Sequence, residues 1–249
     1  MDTFLVLFLL PFIGSIAGLI GGIILIVKKE WAEGLSRYSL PFASGILLAV
    51  SLLHLIPESV HELGEDAFLI VIIAFIASFL LEQYLVSLHH HKEKGHTLYR
   101  ATVPLIFIGD TIHNFIDGVS IAAAYIVDPI FGFIVTLATF LHETPHEIGD
   151  FGVFLSSGMT RAKTFKLNLY SALATFPGAF ITYFFFKEAP DKIAVLLAIS
   201  GGIFLFLGAS DFLPEVGEDP HAKGKWKEVT LVLLGIVLMY CLSLITPEH

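Results

Sequence analysis

Two stretches decide how this chain folds: His113-Asn114-Phe115-Ile116-Asp117-Gly118 and His142-Glu143-Thr144-Pro145-His146-Glu147-Ile148-Gly149-Asp150. Each lies inside a long apolar run, residues 98–125 for the first and 130–158 for the second. Imidazoles and carboxylates at membrane depth are costly, so they are rare and usually serve ion traffic. The surrounding runs therefore read as membrane helices carrying a polar site.

The remaining runs are 4–27, 38–57, 67–88, 165–186, 192–213 and 229–245, eight in all. Each is near the ~20 residues that a helix needs to cross the hydrocarbon core. The 249 residues are 55% hydrophobic and 15% charged, with a mean hydropathy of +0.81. This excludes an ordinary soluble domain. The net charge of −9 argues against nucleic-acid binding, and the single Cys241 excludes an internal disulfide or a Cys-rich zinc site. The first run is too long for a signal-peptide core and has no basic leader, so it reads as a retained span. The expected fold is an all-α membrane protein, one transporter-like domain over residues 1–249.

Basic residues set the expected direction. Lys28, Lys29 and Arg37; Lys92, Lys94 and Arg100; Arg161, Lys163 and Lys166; and Lys223, Lys225 and Lys227 fall in alternate loops. The opposite loops hold only Lys187 and Lys192, together with Glu58, Glu62, Glu65, Asp66, Asp128 and Asp191. The basic side should be cytoplasmic, both termini outside, and the outer mouth acidic enough to concentrate cations. Short loops suggest a plasma membrane of the prokaryotic inner-membrane type.

Gly45, Leu48, Ser51, His54, Pro57 and Glu58 of the second run recur at the same spacing as Gly202, Leu205, Gly208, Asp211, Pro214 and Glu215 of the seventh. These runs point in opposite directions, so the repeat is inverted, a signature of secondary transporters. Runs one to three would mirror six to eight and leave four and five in the middle: an inverted 3+2+3 arrangement.

His113 and Asp117 are four apart on one helix, as are His142 and His146 on the next, so each pair shares a face. Facing each other they make a cage of three nitrogens and one carboxylate. That set suits zinc, and also iron, manganese or cobalt. Glu143 and Glu147 form a second stripe about 100° round the helix, and a second metal position could lie on that stripe, using Asn114, Glu143 and the far side of His146. Asp110 and Asp150 lie one turn to the cytoplasmic side of the histidines and mark an exit path with Glu147. His54 and Asp211 are repeat-related candidates for the pathway wall. Pro145 frees the Leu141 carbonyl and should kink its helix; Gly118 and Gly149 should admit close helix approach. Ligating histidines must be neutral, so binding should weaken as pH falls through ~6.5.

The two motifs in this order resemble the ZIP (Zrt/Irt-like) family of metal transporters, in the branch whose fifth helix reads H-E-x-P-H-E-x-G-D. The resemblance extends over the whole chain, including a histidine-bearing loop at 89–97. It implies transport of zinc and related divalent cations into the cytoplasm by alternating access, with Zn2+ as substrate and Fe2+, Mn2+ and Cd2+ as further candidates. No catalytic cofactor is expected; the partners are metal ions, the lipid bilayer and, at family level, a second copy in a homodimer. The resemblance implies His113, Asp117, His142 and His146 as the main site, with Asn114 and Glu143 at a neighbouring second one. Binuclear members carry a further carboxylate on helix six, where this chain has Thr175.

One rival reading is an enzyme. His142-Glu143-Thr144-Pro145-His146 satisfies the H-E-x-x-H pattern of zinc proteases, with Glu143 as general base. Pro145 inside the motif counts against it, and so do His113 and Asp117, which would fill the position that a catalytic zinc keeps open.

Overall fold

The computed structural model describes residues 3–90, 97–215 and 225–244. Among these residues there are helices and turns but no strand. We number the helical spans α1 (Thr3–Val27), α2 (Arg37–Leu63, part of a helix that begins at Lys29), α3 (Asp66–His90), α4 (Thr97–Val127), α5 (Pro129–Ser156), α6 (Arg161–Phe186), α7 (Pro190–Phe212) and α8 (Lys225–Ser243). The loop residues His91 to His96 lie outside the described residues.

The local punctuation follows from the sequence. Asp128 caps α5, its carboxylate accepting from Ile130 N at 2.7 Å and Phe131 N at 3.0 Å, and Pro129 follows where no amide hydrogen is needed. Gly64 and Gly158 take positive φ in the tight turns after α2 and α5.

Seven of the eight helices are long and apolar enough to cross a membrane; α5 is the exception. It is long enough, but His142, Glu143, His146, Glu147 and Asp150 dilute its hydropathy. The packing supplies the reason: α5 is held among α1, α2, α4 and α6 and buries fourteen of its residues. In contrast, α3 turns Phe68, Leu69, Ile72, Ile73, Ile76 and Leu80 outward, and α8 turns out Val229, Leu233, Leu234 and Val237, as lipid-facing helices do.

The helices form two groups. In one, α2 packs on α8 and α7, and α7 packs on α3; in the other, α4 packs on α5 and α6, and α5 packs on α1. The groups meet along α2–α5 and α4–α7.

The internal repeat is present in the contacts themselves. The interval of 157 positions that separates Ser15 from Ala172 also carries Ser44 to Gly201, Ser51 to Gly208 and His54 to Asp211. Ser44 Oγ donates to the Gly208 carbonyl at 3.0 Å, and Ser51 Oγ donates to the Gly201 carbonyl at 2.6 Å. The two bonds join repeat-related pairs of positions, 44 with 208 and 51 with 201, although both donors lie on α2. Both helices widen into a π-turn at the matching place, Ser51–Leu55 and Leu207–Phe212. The central pair obeys the same rule with an interval of 29, the separation of His113 and His142. A Cβ on Gly21 of α1 would meet the Thr144 carbonyl of α5 at 2.2 Å, and one on Gly178 of α6 would meet the Phe115 carbonyl of α4 at 2.1 Å. Thus α4 mirrors α5 as well, and the site lies across the relating axis.

Candidate metal centre

His113 and Asp117 of α4 face His142 and Glu143 of α5, and one ligand atom from each of the four lies within 4.8 Å of the others. The Nε2 atoms of His113 and His142 are 3.2 Å apart. Asp117 Oδ2 is 3.6 Å from His113 Nε2 and 3.4 Å from His142 Nε2. His113 Nε2 donates to Glu143 Oε1 at 3.0 Å, a proton it must surrender to ligate a cation. His142 Nδ1 donates to the Ala138 carbonyl at 3.0 Å, which fixes the tautomer and leaves Nε2 as the free lone pair.

Asp117, His142 and Glu143 are fully buried. Neither Asp117 oxygen accepts a hydrogen bond, and Glu143 Oε2 also lacks a partner. Buried carboxylates in that condition are costly unless a cation joins them. The donor set, imidazole nitrogen and carboxylate oxygen, is the chemistry that divalent transition metals prefer.

His146 stands beside this group, its ring 5.1 Å from that of His113. However, it turns its Nδ1 toward Asp110 Oδ1, 3.9 Å away, and falls in a second group with Asp110 and Asp150. Glu147 is fully buried and gathers with Asp110 and Glu143 in a third.

Asn114 sits in a hydrogen-bonded knot. Its carbonyl oxygen accepts from Ser15 Oγ of α1 and, at 3.2 Å, from Thr175 Oγ1 of α6; its amide donates to Asp110 Oδ1 at 2.9 Å. Both hydroxyls also reach the Ala172 carbonyl, Thr175 Oγ1 at 2.9 Å and Ser15 Oγ at 3.3 Å, so in this arrangement Asn114 ties its neighbours together. Thr175, in the place of a helix-six carboxylate, is one of the residues that close it.

His54 lies apart from these groups. Its Nε2 is 3.3 Å from the Met239 carbonyl of α8, and its ring stacks on Phe131. Asp211, in the opposite π-turn, lines a cavity of about 450 Å³ with Glu82, Asp110, His113, His146 and Asp150. On the opposite side, Glu58, His61, Glu62 and Lys187 line a second cavity of about 350 Å³. Helix α5 continues unbroken through Pro145. Gly118 permits the close contact expected of it: a Cβ there would meet the Thr175 carbonyl at 1.9 Å. Gly149 does not, for nothing lies within 4 Å of its Cβ position, because it faces away from the packed side of α5.

One contributor escapes a motif search: Ser15, at the start of a short 3-10 turn in α1, whose signal was a lone polar residue interrupting an apolar run. Glu82, which the sequence places near the inner end of α3 as an interface residue, lines the cavity.

A family model described as ZIP zinc transporter matches residues 2–104 and 89–243. Zinc transporter ZIP13 of Pongo abelii is 32% identical over 223 residues, 82% of this chain and 66% of its own length. Zinc transporter ZIP4 of Homo sapiens is 37% identical over 110 residues, 44% of this chain and 17% of its own. Zinc transporter foi of Drosophila melanogaster is 31% identical over 141 residues, 56% of this chain and 20% of its own. The chain thus spans between about a sixth and two thirds of the length of these relatives.

Proposed function

Because the chain belongs to the ZIP zinc transporter family, we propose that it carries divalent transition-metal ions, zinc foremost, across a membrane into the cytoplasm. The observation that carries this reading is the convergence of His113, Asp117, His142 and Glu143 at the buried contact of α4 and α5, with His146 alongside. Ligands of this kind, held between helices of an inverted repeat, suit a substrate that must be stripped of water and released again. The basic loops support a cytoplasmic side at the end where the 450 Å³ cavity lies, with both termini outside and an inner-membrane location.

In the mechanism, a hydrated ion arrives between the helix ends at Glu58, His61 and Glu62. It loses water and is taken by the nitrogens of His113 and His142 and the carboxylates of Asp117 and Glu143. One helix group then moves against the other and exposes the ion to the inner cavity. The protease reading has little support: Glu143 is engaged with His113, and the named relatives are transporters.

The test is zinc uptake into proteoliposomes, with cadmium, iron and manganese as competitors. Saturable uptake that disappears in Asp117→Ala and in His142→Ala/His146→Ala is the expected result. Robust uptake by a well-folded Asp117→Ala variant would remove the site assignment. Absence of flux with every metal would remove the transport reading.

A further inference from the structure

The second group of potential ligands, Asp110, His146 and Asp150, lies beside the cage and is linked to it where Asp110 gathers with Glu143 and Glu147, and the repeat shows how unusual it is. One ligand atom of each lies within 4.8 Å of the others. Asp110 is 4% exposed, and its Oδ1 is held by the Asn114 amide, which leaves Oδ2 without a partner. His146 Nδ1 and Asp150 Oδ2 are also buried atoms without a hydrogen bond. Each of the three residues thus keeps an unsatisfied atom of metal-ligating type, and all three line the 450 Å³ cavity.

The inverted repeat supplies an internal control. The interval of 29 that carries His113 to His142 also carries Asp117 to His146, Asp110 to Thr139 and Ile121 to Asp150. On the opposite side, the equivalents of the two carboxylates are therefore a threonine and an isoleucine, both buried. The architecture needs no acid at either place. The carboxylates exist on one side alone, which is a chemical asymmetry imposed on a symmetric frame.

We propose that Asp110, His146 and Asp150 form a second divalent-metal site, in series with the cage and on its cavity side, with His146 as the residue that passes an ion from one to the other. This rests on the transport reading for its purpose, though not for its geometry. The His146 ring lies 5.1 Å from that of His113 and its Nδ1 3.9 Å from Asp110, so a side-chain rotation moves it between the two ligand sets without moving a helix. One nitrogen and two carboxylates grip a transition metal less fully than the cage does, and the cavity leaves room for water in the remaining positions. Such a site receives an ion readily and releases it to the aqueous side. Asn114 acts on this second site through Asp110.

The test is the zinc stoichiometry of the purified full chain in lipid nanodiscs, measured by equilibrium dialysis against zinc alone. Two ions per chain are expected, falling to one in Asp110→Asn/Asp150→Asn and to one in His113→Ala/His142→Ala. Unfolding midpoints identify any variant that has not folded. Should the double variant fail, Asp150→Asn alone, whose residue borders the cavity, is expected to lower the affinity of one ion and leave the other unchanged. A single ion bound by the unaltered chain, or two retained in the folded Asp110→Asn/Asp150→Asn chain, would overturn the second site. Neither result would touch the transport reading, which stands or falls on flux.

Discussion

At the scale of single residues, a buried amide governs the neighbourhood of the cage. Asn114 joins α1, α4 and α6 through Ser15, Asp110 and Thr175. Removal of its side chain takes the hydrogen bond from buried Asp110 Oδ1, at about 1–3 kcal/mol, while Ser15 and Thr175 keep the Ala172 carbonyl as an acceptor. As an outer partner of ligand residues it should also matter to metal affinity. Asn114→Ala is expected to weaken zinc binding about 10–100-fold and to lower the unfolding midpoint, as read by titration calorimetry and by thermal melting in detergent. Unchanged affinity would mean that Asp110 keeps its orientation without help. Glu143 separates the two chemical readings of H-E-x-x-H. Glu143→Gln keeps one oxygen donor, so zinc uptake should be weakened and not abolished, whereas complete loss would fit a general base. The sequence shows His113, Asp117, His142 and His146 through their spacing of four, because helical geometry alone places such pairs on one face. It does not show which way His146 turns, which depends on Asp110 of the neighbouring helix, or what meets Asn114, whose partners Ser15 and Thr175 lie 99 and 61 residues away in the chain.

At the scale of helices, close approach depends on what the facing element presents. The Cβ position of Gly118 is 1.9 Å from the Thr175 carbonyl, and that of Gly149 is open. Gly118→Ala should therefore push α4 from α6 and cost about 1–3 kcal/mol, as overpacking does. Gly149→Ala should be neutral or stabilising by up to about 1 kcal/mol, since alanine is the better helix former. Melting temperatures of the two variants, side by side, check this; equal losses would contradict the packing described. The two glycines look alike in sequence, each ending a polar motif, and only the partner helix distinguishes them. The same limit explains α5. Periodicity and length identify it as a span, yet its hydropathy falls short, because a helix surrounded by protein needs no apolar coat. The π-turns at Ser51–Leu55 and Leu207–Phe212 gave no local signal beyond the repeat that contains them.

At the scale of the whole molecule, the distribution of lysine and arginine predicts which end faces the cytoplasm. In a Cys241→Ser background, Glu65→Cys should react with a membrane-impermeant maleimide added outside intact cells, and Arg161→Cys should react only after permeabilisation. The reverse pattern would invert the direction of transport inferred above. The inverted repeat was legible from six matched positions in the second and seventh runs; its extension to α4 and α5 was not, since the two motifs share little beyond a leading histidine. That extension has a thermodynamic meaning. When every contact in one half has a counterpart in the other, exchanging the shapes of the halves replaces one set of bonds by its mirror set. The close approach of Gly21 to the Thr144 carbonyl and that of Gly178 to the Phe115 carbonyl are such a pair, and each helix can take the other's packing at little net cost. Two end states of a chain so built are nearly isoenergetic, and a few kcal/mol of ligand preference suffices to choose between them. The resting bias then belongs to the places where the copies have drifted apart, and the acids that face Thr139 and Ile121 across the axis are the ballast that tilts the molecule to one side.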